Sequence, residues 1–130
     1  MEAPYHPSVG LPEDALLFAQ FKLSDYLFNA MSSSMKHDFD FNEAFSFVVN
    51  CKDQEEVDYY WSKLTSGGGK ESQCAWLKDK FGVNWQIVPT RLIELLGDSD
   101  PVKAQKVMMA MLQMKKIIIK DLEKAYDGKS

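Results

Sequence analysis

The side chains able to do chemistry are few and scattered. The chain has two histidines, His6 and His37, in 130 residues. Both sit in polar, irregular stretches, far apart, and they form no HxxxH or HExxH pair that would aim two imidazoles at one Zn ion. Each is read as a surface or loop histidine. The two cysteines, Cys51 and Cys74, lack CxxC spacing and fall in apolar strand patterns. They are expected to be reduced core thiols of a cytosolic protein. The run SGGGKES, residues 66–72, has the flavour of a phosphate loop. That loop needs GxxxxGK[ST] between a strand and a helix. Here Lys70 is followed by Glu71, and the glycines come after a helical pattern. No glycine fingerprint follows a strand, so methyl transfer from a nucleoside cofactor has no binding motif. No Ser, His and Asp constellation can be assembled from sequence order. The residues by themselves predict neither a cofactor nor a metal.

Composition narrows the class further. The formal charge is −4, from 15 basic and 19 acidic residues, and Arg91 is the only arginine. A nucleic-acid footprint needs a clustered basic face, and arginine is its usual reader, so nucleic acid is not an expected partner. Hydrophobic residues at 45% and charged residues at 26% are those of a globular chain with a real core. No window approaches the roughly 18 apolar residues of a membrane span. The start, MEAPYHPSVG, has neither a positive nor an apolar leader region. The expectation is a cytoplasmic protein without a membrane partner.

The elements that must position any site follow from periodicity. Residues 1–14 form a proline-containing, irregular lead-in. Ala15 to Leu23 alternates like a strand, Ser24 and Asp25 turn, and Tyr26 to Met31 returns as a hairpin. Ser32 to Asn42 reads as a loop, with Phe39 and Phe41 as lids on the core. Phe45 to Cys51 is a continuous apolar strand. Asp53 caps a helix, with Glu56 completing a capping box and Val57, Tyr60, Trp61 and Leu64 on its apolar face. That helix ends at Ser66 and Gly67. Cys74 to Lys78 and Val83 to Val88 form a second hairpin, which Pro89 closes. The tail is helical: Arg91 to Leu96, then a helix capped by Asp100 and started by Pro101, then Asp121 to Tyr126. Val107, Met108, Met111, Leu112 and Ile118 make an apolar stripe, read as a core or dimer face. One domain is expected over 15–130.

Several stretches carry a family likeness: FNEAFSFVVNCKDQEEVDYYWSKL, QCAWLKDKFGVNWQIVP, DPVKAQKVMMAMLQMKKI and LEKAY. Within them Asn50-Cys51, Tyr60-Trp61, Trp76-Leu77-Lys78-Asp79, Gly82, Trp85-Gln86 and Pro89 recur in order. On these residues, from about Leu16 to Gly128, the chain resembles the PhnB-like branch of the vicinal oxygen chelate superfamily. Glyoxalase I, bleomycin-resistance proteins and extradiol dioxygenases belong to that superfamily. Branch members often carry the label 3-demethylubiquinone-9 3-methyltransferase.

The resemblance implies an α+β, glyoxalase-like fold of βαβββ modules with a cupped, antiparallel-rich sheet. The first module looks trimmed to residues 15–44, the second complete at 45–89, and 90–130 is a helical tail. It also implies a homodimer that covers the strand edges left by the trimmed module. By position, Ser46 matches the histidine that opens the second module, Gln86 its last-strand carboxylate, and Asn29 the carboxylate ending the first module. Ser and Asn are poor ligands for Zn, Fe or Mn, so no metal centre is expected. What the resemblance leaves is a small-molecule pocket with Asn29, Ser46 and Gln86 pointing inward and Trp76 and Trp85, near them in sequence, as walls; the plainer reading is that these polar side chains hydrogen-bond one another in a closed core. Two alternatives stand beside it. One is a metal-dependent lyase, isomerase or dioxygenase of the same superfamily. The other is a dimeric scaffold using the Met-rich helix.

Overall fold

The computed structural model describes residues 18–32 and 36–129. The expected lead-in, His6 and the start of the first strand at Ala15 lie outside the described residues. The described residues divide into two compact units, with the boundary between Phe39 and Asp40.

The first unit holds a hairpin of β1 (Phe18–Leu23) and β2 (Tyr26–Met31). The strands pair antiparallel from Phe18↔Met31 to Leu23↔Tyr26. Ser24 takes a positive φ of 55° in the tight turn between them. Phe21 and Phe28 are Cα partners and stack at 5.7 Å, a cross-strand pair that pins the register. Leu27 and Met31 are exposed on this hairpin.

The second unit is a βαβββ module followed by three helices. Its elements are β3 (Phe47–Cys51), α1 (Gln54–Thr65), β4 (Lys70–Glu71), β5 (Trp76–Lys78) and β6 (Asn84–Pro89), then α2 (Thr90–Leu96), α3 (Pro101–Met111) and α4 (Ile119–Tyr126). The sheet order is β3-β6-β5-β4, with β3 parallel to β6 and the other pairs antiparallel. The two-residue β4 was not foreseen. It is too short and too polar to give a strand period. The indole N–H of Trp61 donates to Glu71 Oε1 at 2.7 Å and so ties α1 to it.

The helix ends form as their residues dictate. Asp53 Oδ1 accepts from the Glu56 N–H at 2.9 Å. Glu56 Oε2 accepts in return from the Lys52 N–H at 2.9 Å, one residue earlier than the expected box. Asp100 Oδ1 accepts from the Val102 N–H at 2.9 Å, with Pro101 in the first helical position. After α1 the chain doubles back tightly at Gly69. A Cβ there would lie 2.7 Å from Thr65 Cα, so only glycine passes.

Two apolar clusters hold the unit together. One lies under α1: Cys51, Val57, Trp61, Leu77 and Ile87, with Val49, Leu64 and Trp85 against them. The other lies among α2, α3 and α4: Val88, Leu92, Leu95, Val107, Ile117 and Leu122, with Ala75. The side-chain amide of Gln54, at the start of α1, joins them. Its Nε2 donates to Ile117 O at 2.9 Å, and its Oε1 accepts from the Ile119 N–H at 2.8 Å. Beside it, Lys116 pairs with Asp58 at 2.8 Å. Arg91 spans α2 and α4 through Glu94 and Glu123, both at 3.1 Å.

Several expectations need correction. Phe39 and Phe41 are exposed and cover no core. Tyr60 is partly exposed; Val57 and Trp61 are the buried residues of α1. On α3 Val107 is buried and Met111 packs against the same cluster, while Met108 and Leu112 look outward. Ile117, not Ile118, enters the core. Cys74 is not in a strand. It and Ala75 take φ values of 56° and 77°, which breaks the pattern two residues before β5. Their N–H groups donate to Met114 O and Lys115 O at 2.8 and 2.9 Å, bonds that offset the strain of two left-handed non-glycine residues.

Asp53→Ala should lower unfolding free energy by about 1 kcal/mol, read as a shifted urea midpoint with unchanged slope. Burial pushes the Cys51 thiol from 9.0 up to about 11, helped by nearby Glu56 and Asp53. The unfolded chain therefore loses this proton first. The stability it contributes is intact below pH 9.0 and is lost as pH rises through about 11. Cys51→Ala should show a shallower alkaline decline than the parent chain, measured by denaturant midpoints across that window.

Candidate functional site

Strand alternation decides which side chains meet. On β6, Trp85 and Ile87 face α1, while Asn84, Gln86 and Val88 face the other way. On β3, Val49 and Cys51 lie under α1, and Val48 and Asn50 point away from it. Gln86 is the Cα partner of Trp76 on β5 and of Val48 on β3. Directly opposed residues share a face, so Trp76, Gln86 and Val48 stand side by side on the surface turned away from α1.

Ser46 joins them from the residue before β3. Gln86 Nε2 donates to Ser46 Oγ at 2.9 Å, across forty positions of sequence. Both side chains are half-buried, and so is Trp76. The C-terminal helices cover this face at its Val88 end. Toward the other end, Lys78 is the Cα partner of Asn84. Lys78 Nζ reaches Glu43 at 2.8 Å, and that ammonium holds the Glu43 carboxyl below its ordinary range. Asn84 is buried, and its Nδ2 has no hydrogen-bond partner.

Trp85 does not belong with Gln86. As its immediate neighbour in a strand it must point to the opposite face. Its ring lies 5.0 Å from that of Phe47, and its Nε1 donates to Asp79 Oδ2 at 2.9 Å. The same carboxylate accepts from the Phe81 and Val83 N–H groups at 2.9 and 3.0 Å. Trp85 thus fixes the β5–β6 turn rather than walling a pocket beside Gln86. Asn29 lies on the hairpin of the first unit. Its Oδ1 accepts from Gln20 Nε2 at 3.0 Å, between residues paired across β1 and β2. Gln20 went unnoticed in the sequence, where it looks like one more outward polar residue. Lys78 and Asn84 also went unnoticed, though period-two counting back from Gln86 reaches Asn84.

The donor set suits recognition. A hydroxyl and a carboxamide can each donate and accept, and neither ionises near neutral pH. Among the described residues, no three His, Cys, Asp or Glu side chains gather as a metal site. The Ser46–Gln86 pair, already hydrogen-bonded to itself, does not match the nitrogen, sulfur or carboxylate ligands of a Zn, Fe or Mn centre. His37 stacks on Phe39 at 4.7 Å, in the first unit. No helix among the described residues is long and apolar enough to cross a membrane.

Comparison with known proteins fits this architecture. The PhnB protein from Bacillus cereus, which bears a 3-demethylubiquinone-9 3-methyltransferase description, is 29% identical, with a TM-score of 0.60. The match covers 67% of this chain and 74% of that one. Protein PA1353 from Pseudomonas aeruginosa is similar in fold alone, at 16% identity and a TM-score of 0.52, over 68% of this chain and 71% of its own. No curated protein matches the chain. The α+β arrangement of β1–β6 and α1–α4 is the glyoxalase-like fold of these neighbours, without a closed barrel. A family model described as 3-demethylubiquinone-9 3-methyltransferase matches residues 3–88, and the chain belongs to that PhnB-like family.

Proposed function

We propose that this chain is a metal-free binding protein for a small, planar, oxygen-bearing organic molecule. The observation that carries the reading is the Ser46–Gln86 hydrogen bond of 2.9 Å on the face turned away from α1, with Trp76 opposite Gln86. A hydroxyl and an amide beside an indole suit a ring that carries oxygen acceptors and donors. The family description names a demethylated quinone, a molecule of that class. Methyl transfer is not part of the proposal, since no ionisable side chain stands among Ser46, Trp76 and Gln86 to act as acid or base, and the Ser46 hydroxyl is bonded to the Gln86 amide. Asn29 and Trp85 are left out of the core of the site. Asn29 is engaged by Gln20, and Trp85 by Asp79.

The chain is further proposed to act as a homodimer in the cytoplasm. The supports are physical. β3 stands at an edge of its sheet, and Tyr26, Leu27 and Met31 are exposed on a two-stranded hairpin, an arrangement marginal in water without a covering surface. Cys51 and Cys74 are free thiols, as a reducing compartment favours.

Thermal-shift titration with phenols, aromatic acids and quinones tests the binding reading. Stabilising compounds should lose most of their effect in Gln86→Leu. That variant should itself unfold within about 1 kcal/mol of the parent, because only one half-buried hydrogen bond is removed. Equal stabilisation of both proteins would take Gln86 out of the site. Elemental analysis after dialysis against Zn, Mn, Ni and Fe should find no stoichiometric metal, and one tightly held ion per chain would overturn the metal-free reading. Sedimentation equilibrium should give twice the chain mass; a single-chain mass at micromolar concentration would remove the dimer.

A further inference from the structure

A second concavity in the Asp40–Ser130 unit has chemistry of its own. It encloses about 310 Å³ at the start of β3 and β6, walled by Phe41, Phe45 and Phe47, with Asp40, Asn42 and Asn84 as its polar groups. Phe45 and Phe47 meet with ring centroids 5.1 Å apart and planes at 87°, so two aromatic walls stand at a right angle. Phe41 and Phe45 are 61% and 63% exposed, which leaves rim surface for an occupant to cover. Neither Ser46 nor Gln86 is part of its wall, and it adjoins their surface through Asn84, two residues before Gln86 on the same face of β6.

Its electrostatics favour one sign of ligand. Phenyl faces carry negative quadrupole density and attract cations, most strongly weakly hydrated ones. Asp40 is the only charged residue of the wall, and no lysine or arginine contributes. Asp40 Oδ1 accepts from the Phe41 N–H at 2.8 Å, which fixes the carboxylate at the rim. The nearby Lys78 ammonium is held by Glu43 at 2.8 Å. An anion would meet a carboxylate and three aromatic rings with no cation beside them; a cation meets the carboxylate as an attraction and gains from any ring face it lies over.

A second, independent observation points to an occupant. Asn84 is 4% exposed, and its Nδ2 has no hydrogen-bond partner. A buried amide donor left unmade costs free energy until an acceptor reaches it. Phe41, Phe45, Phe47 and Val83 carry no side-chain acceptor, and the two wall residues that do, Asp40 and Asn42, make no bond to it.

We propose that this cavity binds a small organic cation of the methylated-ammonium class that also carries an oxygen acceptor. The aromatic corner and Asp40 take the cationic head, and the Asn84 amide takes the oxygen. This goes beyond the planar-ligand reading above and does not depend on it.

The test is an amide-resolved NMR titration of the full chain with tetramethylammonium, choline and glycine betaine, each beside dimethylbutanol, the uncharged isostere of choline. Shifts should concentrate in residues 40–47 and 83–84, and choline should bind at least about fivefold tighter than the alcohol. Phe45→Leu keeps an apolar rim but removes a π face, and should cost choline about fivefold. Asp40→Asn, at an exposed position, should weaken choline while leaving the alcohol unchanged. Equal binding of choline and the alcohol, shifts centred elsewhere, or no shift with any of the three cations would overturn the proposal and leave the Asn84 amide to water.

Discussion

The central strand β6 has one residue step between two cores, and the rest of the Asp40–Ser130 unit depends on it. Ile87 is fully buried under α1 with Leu77 and Cys51, and Val88 is buried against Leu92, Leu95 and Ile117 on the other face. β3 and β5 flank the strand, so its backbone is satisfied on both sides. A slip of one residue would send Ile87 to the tail and Val88 to α1, and would exchange Trp85 with Gln86. Register, core and candidate site are therefore one constraint. The position that places Gln86 beside Ser46 is the same one that buries Ile87.

This explains the character of the face that carries Gln86. Trp76, Val48 and Ser46 share it because of pairing, not because of proximity in sequence. Its polar groups are a hydroxyl and an amide, so it can orient a ligand and discriminate by hydrogen-bond pattern. Lys78 brings a charge to the same face, but Glu43 already neutralises it. The family supplies the glyoxalase-like architecture; the residues set in this chain's sheet give that surface a hydroxyl, an amide and an indole.

Much of the fold was legible in the sequence wherever a local rule acts alone. Asp53 and Glu56 announce α1, Asp100 and Pro101 announce α3, and the hairpin return at Tyr26–Met31 falls as its alternation predicts. Legibility failed where a distant partner decides. Cys74 and Ala75 look like strand residues, but the backbone carbonyls of Met114 and Lys115 hold them in a left-handed turn. The Met-rich stripe looks like one core face, but only its Val107 and Met111 side meets the tail cluster, while Met108, a step further round the helix, and Leu112 face outward. Trp85 adjoins Gln86 in sequence, but a period of two puts the two side chains on opposite faces. Ser46 and Gln86 were both named, but their direct hydrogen bond depends on the β3–β6 register, which sequence order alone does not fix.

Gln54 carries a consequence for how this unit comes apart. Its side-chain amide presents one donor and one acceptor to the backbone of residues 117–119, much as a neighbouring strand would. The first turn of α1 and the entry to α4 are thereby joined by paired hydrogen bonds, with Lys116 and Asp58 alongside. Fraying at either end removes partners from the other. The helical tail is thus tied to the module it follows by specific bonds, and opening at Ile119 takes a hydrogen-bond partner from the first turn of α1.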